Sequence, residues 1–151
     1  MILTTEAIRR LLTNTAEAAP IAIDGVFSDA KAMLFQNGIA ESVNLVLADL
    51  QECNFTGYAR SGVLVWGAVF NSIDTGLPVL PADQKMFSCS GGTPQNVAGY
   101  ALVSNDIVPI LLLVRVLDSV IEIGPGNSIG IEPRYGMEPV ANVPAGDVTI
   151  F

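Results

Sequence analysis

Apolar residues recur along this chain at two different periods, and the point of change divides it. Near the start, Leu3, Ala7, Ile8, Leu11 and Leu12 stand at helical spacing. Thr4 or Thr5 can cap such a helix, Glu6 falls in its first turn where the helix dipole favours an anion, and Thr13-Asn14-Thr15 can end it. The stretch from Ala16 to Pro20 is small and bland, and Asp24-Gly25 marks a turn. From Lys31 the period becomes two: Ala32, Leu34 and Gln36 alternate with Lys31, Met33 and Phe35, and Asn37-Gly38 signals a turn.

The same short period returns down the rest of the chain. Ser61 to Phe70 predicts a strand, with Gly67 as a bulge or a site of close backbone approach. Leu77 to Ala82 reads as a loop or an edge strand, because Pro78 and Pro81 have no N–H to donate to a ladder. Short strands follow at Met86 to Ser90, Val97 to Val103, Ile110 to Val116, Val120 to Ile123 and Ser128 to Glu132. They are punctuated at Gly91-Gly92-Thr93-Pro94, Asn105-Asp106, Asp118-Ser119 and Gly124-Pro125-Gly126-Asn127. Val43 to Leu50 fits an irregular or short helical segment better than a strand. Strands at intervals of 8–12 residues, without βαβ alternation, predict a mainly β fold of sandwich or barrel type.

Two apolar stretches leave their role open. Ile107 to Leu117, bounded by Asp106 and Asp118 and interrupted by Pro109 and Arg115, is about half as long as the roughly 20 residues that cross a bilayer. It reads as a strand buried on both faces, or as half core and half subunit contact. After Pro139 and Pro144 the chain closes on Val148, Thr149, Ile150 and Phe151, which suit either a last sheet strand or an arm onto a neighbour. The organisation expected is a helix and linker over 1–24, a β-sandwich over 25–136, and a tail or arm over 137–151.

Composition narrows the function classes. The chain has 151 residues, half of them hydrophobic, and no histidine. Its 15 acidic residues against 7 basic give a net charge of -8. Phosphate binding calls for clustered Lys and Arg, whereas here the basic residues are scattered except for Arg9-Arg10 on the predicted helix, so no nucleic-acid partner is expected. Without histidine there is no Ser-His-Asp triad and no Cys–His dyad, and most catalytic zinc sites are ruled out. The expectation is a protein that is not an enzyme and holds no metal or cofactor.

Cys53 and Cys89 have no ligand or redox spacing and read as buried free thiols. Glu122 and Glu132 would make a carboxylate pair only if neighbouring strands brought them together. Phe55, Tyr58, Trp66, Phe70, Tyr100 and Tyr135 fall in strand patterns, as packing residues do. The opening residues have neither a basic leader nor a continuous apolar run, which predicts a chain made in a reducing cytoplasm without a membrane anchor.

Four segments in order carry a family resemblance: Ala32-Met33-Leu34-Phe35-Gln36-Asn37, Asn54-Phe55-Thr56-Gly57-Tyr58-Ala59-Arg60, Phe87-Ser88-Cys89 with Asn96-Val97-Ala98-Gly99-Tyr100, and Ser128-Ile129-Gly130-Ile131-Glu132-Pro133-Arg134. Together they resemble a family of decoration, or cement, proteins of tailed-bacteriophage capsids, across roughly residues 30 to 135. The opening is less aromatic than in that family and the tail is longer.

The resemblance implies a jelly-roll-like antiparallel β-sandwich that forms homotrimers on the outer surface of the virion. Its partners would be the major capsid protein and further copies of itself, assembled in the host cytoplasm. Leu3, Ile8, Leu11 and Leu12 on the helix, with Val148, Ile150 and Phe151 at the end, are the expected capsid or subunit contacts. The alternative is a head-fibre or tail-associated module that recognises host carbohydrate.

Overall fold

The longest apolar segments of the chain build one sheet at its centre. A computed structural model describes residues 2–5, 27–71, 78–136 and 148–150. In chain order its strands are β1 (Ile2–Leu3), β2 (Lys31–Phe35), β3 (Phe70–Asn71), β4 (Pro78–Pro81), β5 (Lys85–Ser88), β6 (Gln95–Val103), β7 (Leu111–Ile123), β8 (Ser128–Ile131), β9 (Arg134–Gly136) and β10 (Val148–Ile150), with one 3₁₀ turn at Leu47–Asp49. The fold is mainly β and its sheets are antiparallel, consistent with a β-sandwich. The central sheet has the order β1-β7-β6-β2, and two three-stranded sheets have the orders β10-β8-β5 and β3-β4-β9.

The central sheet is buried on both faces over β2, most of β6 and the first half of β7. On β2, Ala32 and Leu34 enter a cluster with Phe27, Phe55, Phe87, Tyr100, Leu102, Leu113, Ile129 and Ile131. Met33 and Phe35 enter a second cluster with Ala101, Val103, Leu111 and Val114, where Ile39, Leu45, Leu47 and Leu50 cover them. The alternation of side chains therefore persists, but over β2, most of β6 and the first half of β7 neither face turns to water, and these stretches are apolar almost throughout. A second core layer takes up much of the apolar content of this small chain.

The structure changes several of the expected elements. Ser61 to Phe70 is not one strand. Its backbone is pinned at intervals, with the N–H of Leu64 donating to Ala30 (2.8 Å) and that of Gly67 to Pro81 (2.8 Å), and only Phe70–Asn71 is a strand. Close approach at Gly67 does hold, since a Cβ there would lie 3.3 Å from Pro81 Cγ. Pro78–Pro81 is the middle strand of its sheet and not an edge; the two prolines sit at its ends, where a missing N–H interrupts no ladder.

The Asp118-Ser119 turn signal is absorbed into β7. Val97 pairs with Ile121 and Gly99 with Val116, so the register slips there and the strand bulges instead of ending. Leu3, expected on a helix, lies in β1 and pairs with Leu113 of the central sheet, while Thr4 donates its backbone N–H to Leu112 (3.1 Å). The remaining residues of the predicted helix, Ile8, Leu11 and Leu12, lie outside the described residues. Val148 and Ile150 pair with Ile131 and Ile129, so the C-terminal segment is a sheet strand on its own chain's β8; Phe151 lies outside the described residues.

Candidate interaction surface

The Glu52–Ser61 segment closes the free edge of β2. The Tyr58 hydroxyl accepts from the Leu34 N–H (3.1 Å) and donates to Glu52 Oε1 (2.9 Å). Arg60 grips the same carboxylate with two bonds, Nε to Oε1 at 2.9 Å and Nη2 to Oε2 at 2.7 Å. Cys53 donates its N–H to the Leu34 carbonyl (3.0 Å), and the Ser61 hydroxyl accepts from Ala32 (2.8 Å). Side chains and a loop thus occupy edge groups that would otherwise template another strand.

Gly57 makes this path possible. It has φ +92°, and a Cβ there would come within 2.9 Å of the Ser88 carbonyl oxygen and of Ser90 Oγ. Phe55 and Tyr58 stand edge to face at 5.2 Å, and Tyr58 stacks on Phe87 at 5.8 Å, so the loop is also anchored in the core.

The clasp perturbs its ionisable groups in directions that follow from its geometry. Burial alone would raise the Glu52 pKa, but the hydrogen bonds from Arg60 and Tyr58 and the Arg60 charge outweigh it and hold the carboxyl below its ordinary 4.5. Burial, reinforced by the neighbouring Glu52 charge, pushes the Cys53 thiol up to about 12. Burial also raises the Tyr58 phenol, opposed by the Leu34 hydrogen bond and aided by the Glu52 charge. Cys53 and Cys89 are both free and buried.

The exposed apolar residues form the surface features suited to contact. The β6–β7 loop is clamped at its base, where the Ser104 N–H donates to Ile110 O (3.0 Å) and the Ile110 N–H donates to Ser104 Oγ (3.0 Å). Ser104 is itself buried, yet Ile107 at the tip is fully exposed and Val108 is 76% exposed. The long apolar run therefore divides: Leu111 to Arg115 is core, and Ile107-Val108 is a projection. The signal that could have found it is the bracketing of two aliphatics by Asn105-Asp106 and Pro109. The residue before a proline is biased against helix, and a proline interrupts strand pairing.

A second exposed set follows the covered edge of β2. Leu64 and Trp66 turn inward, with Trp66 Nε1 donating to the Phe27 carbonyl (2.9 Å), while Val63, Val65, Val69 and Phe70 face solvent.

The other sequence candidates separate. Glu122 pairs across to Asn96 in the central sheet, whereas Glu132 follows β8 and pairs with Arg134 at 3.3 Å, so the two carboxylates are not on paired strands. Phe55 and Tyr100 are core, and Tyr58, Trp66 and Tyr135 pack against it, which leaves Phe70 as the exposed aromatic of the six. Leu3, Val148 and Ile150 are committed through their backbones to sheet pairing within the chain. No described helix is long and apolar enough to cross a membrane. Comparison with protein-family models, curated proteins and solved structures returns no match.

Proposed function

We propose that this chain is a structural virion protein that binds the outside of a tailed-phage head shell as a homotrimer and reinforces contacts between capsomers. The observation that carries this reading is the Ile107-Val108 projection. A loop whose base is clamped by two hydrogen bonds presents two aliphatic side chains to water at little ordering cost on docking. Such a tip suits insertion into an apolar depression of another protein surface. The net charge of -8 favours a protein surface over an anionic membrane or packaged nucleic acid.

The ordered segments that resemble capsid decoration proteins give the partner its identity as major capsid protein. The jelly-roll connectivity and the N-terminal helix implied by that resemblance belong to the same proposal, as does a function without a catalytic step or cofactor. Burying both tip side chains contributes enough that their loss weakens binding at least about 10-fold. The test uses purified heads lacking the protein, mixed with wild type or with the Ile107→Ser/Val108→Ser double variant and sedimented. Saturable co-sedimentation of wild type with 10-fold weaker binding of the variant supports the proposal. Wild type that ignores the shell but adsorbs to host cells or glycans overturns it in favour of host recognition.

A further inference from the structure

We propose that copies of this chain meet through the stripe formed by Val63, Val65, Val69 and Phe70, which packs against the same stripe of neighbouring copies around the symmetry axis. The inference takes its assembly, a homotrimer, from the proposed function, and adds the surface that makes it.

Three observations point to a second copy as the occupant. The first is the density of exposed apolar side chains: four large ones lie within eight residues, with Val65 at 67% and Val69 at 62% exposure. Leu64 lies in the core and Trp66 packs against it, so Val63 and Val65 are presented on a fixed backbone. That backbone is anchored on both sides, since the Val65 N–H donates to Asp83 Oδ1 (2.8 Å) and its carbonyl accepts from the Asp83 N–H (2.9 Å).

The second observation is charge. Two copies each carrying -8 repel as wholes, so they make contact most readily where local charge vanishes. It is nearly balanced here. The Lys31 backbone pairs with that of Val63, Lys85 Nζ donates to Val63 O (2.9 Å) and pairs with Asp83 (2.7 Å), and Arg60 pairs with Glu52 (2.7 Å). Among these described groups three basic side chains stand with two acidic ones, so the surround of the stripe carries both signs. Mixed signs around an apolar centre are self-complementary: a cation of one copy can face an anion of the next, which also fixes the register of the contact.

The third observation is that β3, with Phe70, is an end strand of its sheet, so among the described residues its outer edge has no paired strand. By contrast, the Ile107-Val108 tip is a narrow projection suited to a depression and not to a copy of itself.

The full-length protein tests this by light scattering and sedimentation over a range of concentrations. Wild type should associate to a trimer, and added salt should not weaken it, because screening relieves the overall repulsion. Val65→Asp/Val69→Asp should remain monomeric, with association weakened by about 100-fold or more. As a measurement independent of that variant's folding, Val65→Cys should form a disulfide between copies under mild oxidation, whereas an exposed control, Val120→Cys, should not.

Association of the double-aspartate variant like wild type, absence of the Val65→Cys cross-link, or a wild type that stays monomeric throughout would each overturn the inference. A monomeric wild type that still co-sediments with heads overturns this contact and leaves the shell-binding reading standing. A trimer that ignores the shell does the reverse.

Discussion

Gly99 is the position where the sheet tolerates least. It sits on β6 between Phe35 and Val116, and a Cβ there would meet the Arg115 carbonyl oxygen and Phe35 Cζ, each at 2.3 Å. The missing side chain lets the Phe35 ring lie across the central strand and fill the second core cluster. Gly99→Ala should destabilise by roughly 3 kcal/mol, the upper part of the overpacking range. Gly38→Ala, with nothing within 4 Å of its added methyl, should stay within about 0.5 kcal/mol. Urea titrations compare the two, and equal midpoints would refute the packing account.

Tyr58→Phe removes the acceptor of the Leu34 N–H and a donor to Glu52, and should destabilise by about 2 kcal/mol. Glu52 gives the clasp a pH signature. Its folded pKa lies below its ordinary 4.5, so the stabilisation is fully present above that value and is lost as pH falls through the folded pKa. Glu52→Gln should therefore melt below wild type at pH 7, with the gap closing in acid; a gap that does not change with pH would exclude the ionised clasp.

Among the elements, the edges decide behaviour in solution. The β2 edge is closed by the Glu52–Ser61 segment, and part of the β7 edge by β1, beyond which the Val116 N–H donates to Glu41 Oε1 (2.9 Å). The β8 edge opposite β5 is closed by β10 alone among the described strands. Deleting residues 148–151 should uncover the backbone of Ile129 to Ile131, a short apolar edge prone to pairing with other chains. Concentration-dependent aggregation well below the wild-type melting temperature is the expected outcome, measured by turbidity during heating. A truncated chain that stays clear and melts like wild type would show that β10 is dispensable on its own β8.

At the scale of the molecule, the two faces of the central sheet take up much of the apolar content of the described residues. The apolar content does not by itself call for partners; the contacts proposed above rest on the exposed Ile107-Val108 tip and the exposed apolar residues of Val63–Phe70. If the tip docks on a shell, particles lacking the protein should assemble but lose DNA at lower temperature than complete ones. Adding the purified chain should restore resistance in a saturable manner, because a ligand that binds only the intact lattice stabilises it by mass action. Chelator should leave this protection unchanged. Depleted particles as heat-resistant as complete ones would reject reinforcement.

The sequence by itself determined the class of the fold and most of its strands. A period of two with turn residues between is a local property, and β2, β5, β6, the core half of β7 and β8 follow from it. It determined too that Cys53 and Cys89 behave as buried apolar side chains. Only the tertiary structure decided what depends on distant pairing. Asp118-Ser119 became a bulge because β6 continues on both sides of it, and Ser61 to Phe70 became a pinned edge because Ala30 and Pro81 take its hydrogen bonds.

Leu3 shows the limit most plainly: its helical spacing is outweighed by an open β7 edge that offers backbone partners at Leu113. The Asn54–Arg60 motif was visible as a string of residues, but its purpose was not. Tyr58, Glu52 and Arg60 acquire it only when the fold brings them to the unpaired N–H of Leu34, some twenty residues away in sequence. Pattern reports what a residue prefers, whereas an edge, a register or a contact belongs to two segments at once.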